Sequence, residues 1–179
     1  YPLIVDADSH IMTAAGIENI LSYVENGGTL LASLSLGKYR PGQSEALYQL
    51  AAHFGVEGIQ PGKISTETAT WNNTAVTITK NHEIVGDPGK LKVIASNDNG
   101  TPLLWEGKLG KGKVVFSAGT INFHKSADFL QGIIENVTGQ KAPFTIDADA
   151  TLQAGTVEND NAYFVVIRPI MPGNDVNAS

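Results

Sequence analysis

The 179-residue sequence contains no cysteine. This absence excludes disulfide bonds, thiolate zinc sites, iron–sulfur clusters and cysteine nucleophiles. Basic residues are also few: 12 lysines and arginines stand against 18 acidic residues, which gives a net charge of −6. Nucleic acid and anionic membrane surfaces both require clustered positive charge, so the composition predicts neither as a partner. No apolar run approaches the roughly 18–20 residues that are needed to cross a bilayer.

Apolar residues nevertheless make up 42% of the chain, which is enough to form a buried core. The length suits one domain with a small appendage. The chain opens at Tyr1 rather than at methionine, and its first residues already have the apolar pattern of a strand. We therefore expect a piece of a longer protein that is incomplete on its N-terminal side.

The first 33 residues predict a strand, a helix and a second strand joined by tight connections. Residues 2–6 and 29–33 are short apolar runs. Between them, Thr13 is a suitable helix N-cap, and apolar residues recur at helical spacing from Ile17 to Val24. A strand–helix–strand unit is typical of parallel sheets. The sequence thus predicts an α/β fold with a mostly parallel sheet flanked by helices.

The pattern is less regular in the middle of the chain. Ser44 is predicted to cap a second helix that ends at Gly55. We expect residues 59–73 to be irregular, residues 76–79 to form a short strand and residues 82–88 to form a turn.

The strand and turn patterns become clearer after residue 90. Three strands are predicted over residues 91–96, 102–109 and 114–118, with a strong turn signal at residues 97–100. Ser126 then caps a third helix, which Gly139 ends. The chain therefore returns to a strand–helix order before residue 141.

The character of the sequence changes after Lys141. Two strands are predicted over residues 144–157 and 162–169, around a turn at residues 158–161. We therefore expect an α/β domain over residues 1–141 and the start of a small β module, or a tail, over residues 142–179.

Three segments carry a resemblance to a known family. They are residues 1–31, with YPLIV and YVENGGTLL; residues 99–116, with NGTPLL and LGKGKVVF; and the closing helix up to Gly139. Together they resemble the glutamine-amidotransferase-like domain of β-galactosidases and related glycoside hydrolases, often called the trimerisation domain. The resemblance implies a flavodoxin-like fold from which the first one or two strand–helix units of the family domain are missing. Residues 142–169 resemble the small C-terminal sandwich of the same enzymes.

The resemblance also points to where chemistry would lie. In true amidotransferases a cysteine follows the strand that corresponds to residues 29–33, and a His-x-Glu follows the strand that corresponds to residues 114–116. In this chain Ser35 falls near the first turn, and Ser117-Ala118-Gly119 stands at the second. The loss of both groups implies a domain without catalysis. A serine nucleophile at Ser35, activated by His124, is the alternative to a polar loop at a strand end.

Asp6, Asp8 and His10 form an Asp-x-Asp-x-His pattern directly after the first strand. Oxygen and nitrogen ligands at a strand end suit a metal ion. Aspartates after a strand also cap the next turn, and this is the favoured interpretation.

Trp71 and Trp105 are the aromatic candidates for sugar binding, because an indole face matches the apolar face of a pyranose. Packing within a half-buried sheet is the favoured alternative. Four Asn-x-Ser/Thr sites, at Asn72, Asn99, Asn136 and Asn177, favour a glycosylated, secreted protein. The absence of cysteine favours a bacterial or archaeal origin instead, so a secreted or cell-surface prokaryotic protein is slightly favoured over a cytoplasmic one.

We therefore expect an accessory or oligomerisation domain of a carbohydrate-active glycoside hydrolase, without a cofactor and without chemistry of its own. Its partners would be a catalytic domain of the same or a neighbouring chain and further copies of itself, with carbohydrate as a ligand. The alternatives are a free-standing extracellular carbohydrate-binding or structural module that uses Trp71 or Trp105, and a serine hydrolase that uses Ser35 and His124.

Overall fold

A computed structural model describes residues 2–6, 8–141, 152–159 and 162–169. The chain divides into two compact units, Tyr1–Lys141 and Ala142–Ser179. Among the residues so described, no helix is both long enough and apolar enough to cross a membrane.

The first unit opens with the predicted strand–helix–strand order. Strand β1 (Leu3–Val5) pairs in parallel with β2 (Thr29–Ser33), and helix α1 (Ala14–Glu25) connects them. The Thr13 hydroxyl accepts a hydrogen bond from the Gly16 amide at 3.1 Å, which confirms the predicted N-cap. The helix packs against the sheet through the apolar stripe that the sequence predicted.

Five strands form the main sheet in the order β1-β2-β7-β6-β5. The three strands not yet placed are β5 (Lys92–Ser96), β6 (Pro102–Leu109) and β7 (Gly112–Ser117). Strand β7 lies parallel to β2, and β6 runs antiparallel to both of its neighbours. Four of the five strands therefore point the same way. This mixed, mostly parallel sheet with flanking helices confirms the α/β, flavodoxin-like fold class.

A second sheet of three strands has the order β3-β4-β8. Its members are β3 (Ile59–Trp71), β4 (Thr74–Ile84) and β8 (Gly119–Ile121). A short 3₁₀ helix (Phe123–Lys125) and helix α3 (Ala127–Thr138) follow β8. Ser126 is the N-cap of α3, but its hydroxyl accepts the Thr77 amide of β4 at 2.9 Å instead of a helix amide. The residue thus fixes the helix to the sheet.

The prediction of a helix from Ser44 to Gly55 was wrong for its first half. Helix α2 covers only Gln49–His53. The Lys38 carbonyl accepts hydrogen bonds from the amides of Leu47 and Tyr48, and Tyr48 adopts a left-handed backbone with φ 45°. A left-handed residue cannot continue a right-handed helix, so α2 starts only after it.

The middle of the chain also forms more strand than predicted. The stretch expected to be irregular is the 13-residue strand β3, and the turn expected at residues 82–88 begins only after Ile84. The two strands form a long antiparallel hairpin that turns at Asn72 and Asn73, both of which have positive φ. Cross-strand pairing outweighs the weak apolar alternation of β3.

The second unit contains an antiparallel pair, β9 (Leu152–Asn159) and β10 (Ala162–Pro169). The predicted strand 162–169 is confirmed. Strand β9 continues through residues 158 and 159, which were predicted as part of a turn. The prediction for residues 144–151 lies outside the described residues.

Candidate functional site

Polar side chains gather at the carboxyl ends of β1 and β2. Asp8 lies on the loop after β1, Ser33 is the last residue of β2, and Ser35 lies two residues further on. In open α/β sheets ligands bind at this end of the strands. A ligand bound at this edge of the sheet would therefore meet these polar side chains.

A single carboxylate oxygen organises the cluster. Asp8 Oδ1 lies 2.7 Å from Ser35 Oγ, 3.1 Å from Ser33 Oγ and 2.7 Å from His10 Nε2. The two serine oxygens are themselves 2.7 Å apart. Each hydroxyl has one hydrogen, so two hydrogens serve the three contacts of this Asp8–Ser33–Ser35 triangle. Both serines are buried, and the triangle holds the loop after β1 against the end of β2.

The order in which Ser35, Asp8 and His10 contact one another does not suit nucleophilic catalysis by Ser35. An activated serine donates its hydrogen to an imidazole, and a carboxylate supports that imidazole from its far side. Here the carboxylate of Asp8 stands in the middle, with Ser35 on one side and the His10 ring on the other. The His10 ring therefore contacts the carboxylate and not the serine. No buried side-chain nitrogen or oxygen among the described residues lacks a hydrogen-bond partner.

His82 was not predicted as a site residue, yet β4 brings it beside this cluster. Its ring is buried, and Nδ1 lies 2.7 Å from Asn81 Oδ1. Because the amide oxygen accepts, Nδ1 carries the hydrogen and Nε2 presents a lone pair to Lys38 Nζ at 3.4 Å. Burial, followed by the positive charges of Lys38 and His10, lowers the pKa of His82 to about 4, although Asp8 opposes the shift. The ring is therefore neutral at pH 7.

Lys38 lies between two aromatic rings. Its ammonium group is 5.2 Å from the ring centre of Tyr39 and 5.4 Å from that of Tyr48. Tyr48 also packs edge-on against His82, with ring centres 5.6 Å apart. Partial burial lowers the pKa of Lys38, but the neighbouring Tyr39 and Tyr48 hydroxyl groups outweigh it and raise the pKa above its usual value. Lys38 is therefore a cation throughout the physiological range.

The structure places the two residues of the serine-hydrolase hypothesis in different surroundings. Ser35 is fully buried in the Asp8–Ser33–Ser35 triangle. His124 is an exposed residue of the short 3₁₀ helix after β8. His10 contacts the Asp8 carboxylate to which Ser35 is bonded, and His82 lies beside Lys38, whose backbone amide donates to the Ser35 carbonyl at 2.9 Å.

The Asp-x-Asp-x-His pattern is only partly brought together. Asp8 and His10 are in contact, whereas Asp6 Oδ2 accepts the Ser9 amide at 3.0 Å. That bond is the turn cap that the sequence favoured for Asp6. Within the part of the chain that the structure describes, no three His, Asp or Glu side chains are grouped as metal ligands.

Both tryptophans pack into the protein. Trp105 is 3% exposed, and Trp71 packs edge-on against Phe129 with ring centres 5.2 Å apart. Trp105 reaches the wall of a cavity of about 250 Å³ together with Lys80 and Glu83. Trp105 is therefore almost inaccessible to a sugar, whereas Trp71 is only half-buried, and sugar binding by these rings stays a prediction.

No protein-family model matches the chain, and no curated protein matches it. Solved structures of β-galactosidases do share its fold. Gan42B, a GH42 β-galactosidase from G. stearothermophilus, superimposes with a TM-score of 0.66 at 16% identity, over 95% of this chain and 26% of that one.

Two further β-galactosidases show the same likeness. The enzyme from Rahnella sp. R3 gives a TM-score of 0.68 at 15% identity, over 95% of this chain and 27% of that one. The enzyme from Bacillus circulans sp. alkalophilus gives 0.62 at 19% identity, over 93% and 27%. The chain thus spans about a quarter of the length of these enzymes. At such low identity the likeness establishes a shared fold.

Proposed function

We propose that the chain is a non-catalytic accessory portion of a glycoside hydrolase, with residues 1–141 as its amidotransferase-like domain. The observation that carries this proposal is the superposition of at least 93% of the chain on about a quarter of several β-galactosidases. A fold shared over that portion alone suits an appended domain, with the catalytic domain elsewhere in the same or a neighbouring chain.

The polar cluster supports the absence of catalysis. Ser35 has a carboxylate, and not an imidazole, as its hydrogen-bond partner. A carboxylate is a weaker base toward a serine hydroxyl than an imidazole is. The Asp8–Ser33–Ser35 triangle therefore has a structural role, because it fixes the loop after β1 to the end of β2.

Exposed apolar residues support a role in subunit contacts or in walling the substrate cleft. Ile4 and Val5 are 38% and 40% exposed on β1, at one edge of the main sheet. Ile64 is 73% exposed on β3, at one edge of the second sheet. Edge strands with large exposed apolar side chains favour contact with another surface.

The purified chain should release no nitrophenol from nitrophenyl β-galactoside above the blank, because the proposal places the catalytic domain elsewhere. Asp8→Asn should give the same result as the unmodified chain, and an intact GH42 β-galactosidase serves as the positive control. Turnover by the chain that disappears in Asp8→Asn would overturn the non-catalytic assignment.

The accessory role has its own test. Peptides of this chain, followed by mass spectrometry through fractionation of the source cells, should co-purify with β-galactosidase activity. Complete separation of the peptides from glycosidase activity would contradict the glycoside-hydrolase assignment, whatever the isolated chain does.

A further inference from the structure

A cavity of about 430 Å³ opens beside Lys38. Lys38, Tyr39 and Tyr48 line it on the loop between β2 and α2. Its apolar lining includes Leu47, Val56 and Ile59. The volume is large enough for a molecule the size of a monosaccharide or a substituted benzene ring.

The cation at this cavity has no opposite charge against it. Among residues 2–6 and 8–141, no carboxylate lies within ion-pair distance of Lys38, since the ion pairs formed there involve His10, Lys80 and Lys113. Its hydrogen-bond partners are the His82 ring, at the long distance of 3.4 Å, and the hydroxyl groups of Tyr39 and Tyr48. None of these partners is a carboxylate, so no ion pair balances the positive charge of Lys38.

The partly desolvated Lys38 cation has no ion-pair partner, and this favours binding of an anionic ligand. A partly desolvated cation loses hydration, and the faces of Tyr39 and Tyr48 replace only part of it. The nearest carboxylate of the polar cluster, Asp8, has its Oδ1 occupied by His10 and the two serines. A carboxylate that entered the cavity would supply the missing charge and a strong acceptor.

The wall of the cavity is held in an uncommon conformation. Tyr48 has φ 45° and ψ 49°, which costs a residue other than glycine free energy. The Lys38 carbonyl holds this turn by accepting the Leu47 amide at 2.7 Å, and the Tyr48 ring packs on His82. These contacts hold the strained turn and keep the Tyr48 ring beside the Lys38 ammonium group without a ligand. Such preorganisation lowers the cost of binding.

We propose that this cavity binds a small organic carboxylate, with the carboxylate group on Lys38 Nζ and the body of the molecule on the apolar wall formed by Leu47, Val56 and Ile59. The site would belong to the accessory domain itself. It is independent of the glycoside-hydrolase proposal, because it rests on Lys38 and its cavity and not on the fold comparison.

The test titrates the chain with two pairs of matched probes, followed by calorimetry and by NMR shifts of Tyr39 and Tyr48. Benzoate and benzamide have the same shape, as do the bodies of galacturonate and galactose, and only the first of each pair is charged. We expect at least one anion to saturate the site and to bind at least tenfold more tightly than its neutral counterpart. Binding of benzoate alone would identify an apolar body, and binding of galacturonate alone a sugar body.

Variants locate the site. Lys38→Met keeps the aliphatic stem and should weaken anion binding at least tenfold, whereas Lys38→Arg keeps the charge and should retain saturable binding. Lys63→Met removes an exposed lysine of β3 and should change nothing, and thermal melts would verify that each variant folds. No saturable binding of either anion, equal binding of the neutral probes, or binding unchanged in Lys38→Met would each overturn the proposal. If Lys38→Met fails to fold, loss of binding in folded Lys38→Arg would overturn it.

Discussion

Replacing Gly112 with alanine should lower the free energy of unfolding by about 3 kcal/mol. Gly112 is the first residue of β7, where the end of α1 and the start of β2 meet it. A Cβ atom at this position would overlap the carbonyl oxygens of Val24 and Gly28. Both are backbone atoms, so the contact can be relieved only by moving a helix end or a strand. Chemical denaturation of the two proteins would measure the loss.

Gly62→Ala is the matched control. Gly62 lies on β3 without a positive φ, and a Cβ atom there would have its nearest neighbour at 3.5 Å, at the Glu83 carboxylate. We expect its free energy of unfolding to stay within about 1 kcal/mol of the original. Equal stability of Gly112→Ala and Gly62→Ala would mean that the α1–β2–β7 junction is looser than the structure describes.

Acidification should destabilise the protein through His82. Its pKa is about 4 in the folded chain against about 6.5 in the unfolded chain. The unfolded chain therefore takes up a proton first as the pH falls. The stabilising effect of the neutral ring is complete above pH 6.5, declines as the pH falls toward about 4, and is gone below that. The difference between the two pKa values corresponds to about 3 kcal/mol.

His82→Gln isolates this effect, because glutamine keeps polar atoms at the position but does not titrate. Denaturation curves at pH 7 and pH 4 should show a loss that is about 3 kcal/mol smaller in His82→Gln than in the original chain. NMR titration of the His82 ring checks the cause directly. A ring pKa near 6.5, or equal pH dependence in the two proteins, would show that the ring is not held neutral by its surroundings.

The strand–helix–strand opening could be predicted because local rules agree with the final packing. Thr13 has the side chain that an N-cap needs, and Ile17 and Val24 fall on the face that becomes buried. At Ser44 the same rules failed. The residues after Ser44 have helical apolar spacing, but the amides of Leu47 and Tyr48 donate to the Lys38 carbonyl and not to carbonyls within a helix. The first predicted turn of the helix therefore does not form. Such competition between local and long-range bonds has no signature in a short stretch of sequence.

The candidate site was predictable only in part. The position of Ser35 and Asp8 at strand ends followed from the order of elements, but their mutual contact depends on two loops that are 27 residues apart. His82 was missed because the sequence predicts a turn from residue 82, whereas β4 continues to Ile84. Val76, Ile78 and His82 are buried and lie on the same face of β4 as the half-buried Lys80, so the buried face of the strand continues through the histidine.

Reaction of Ser35 with a fluorophosphonate is the measurement that most directly tests the claim that this domain has lost nucleophilic chemistry. The hydroxyl is fully buried and bonded to the Asp8 carboxylate, so it has neither access nor an imidazole base. Intact mass should therefore stay unchanged under conditions that fully label a serine hydrolase. A stoichiometric adduct that peptide mapping places on Ser35 would contradict the claim.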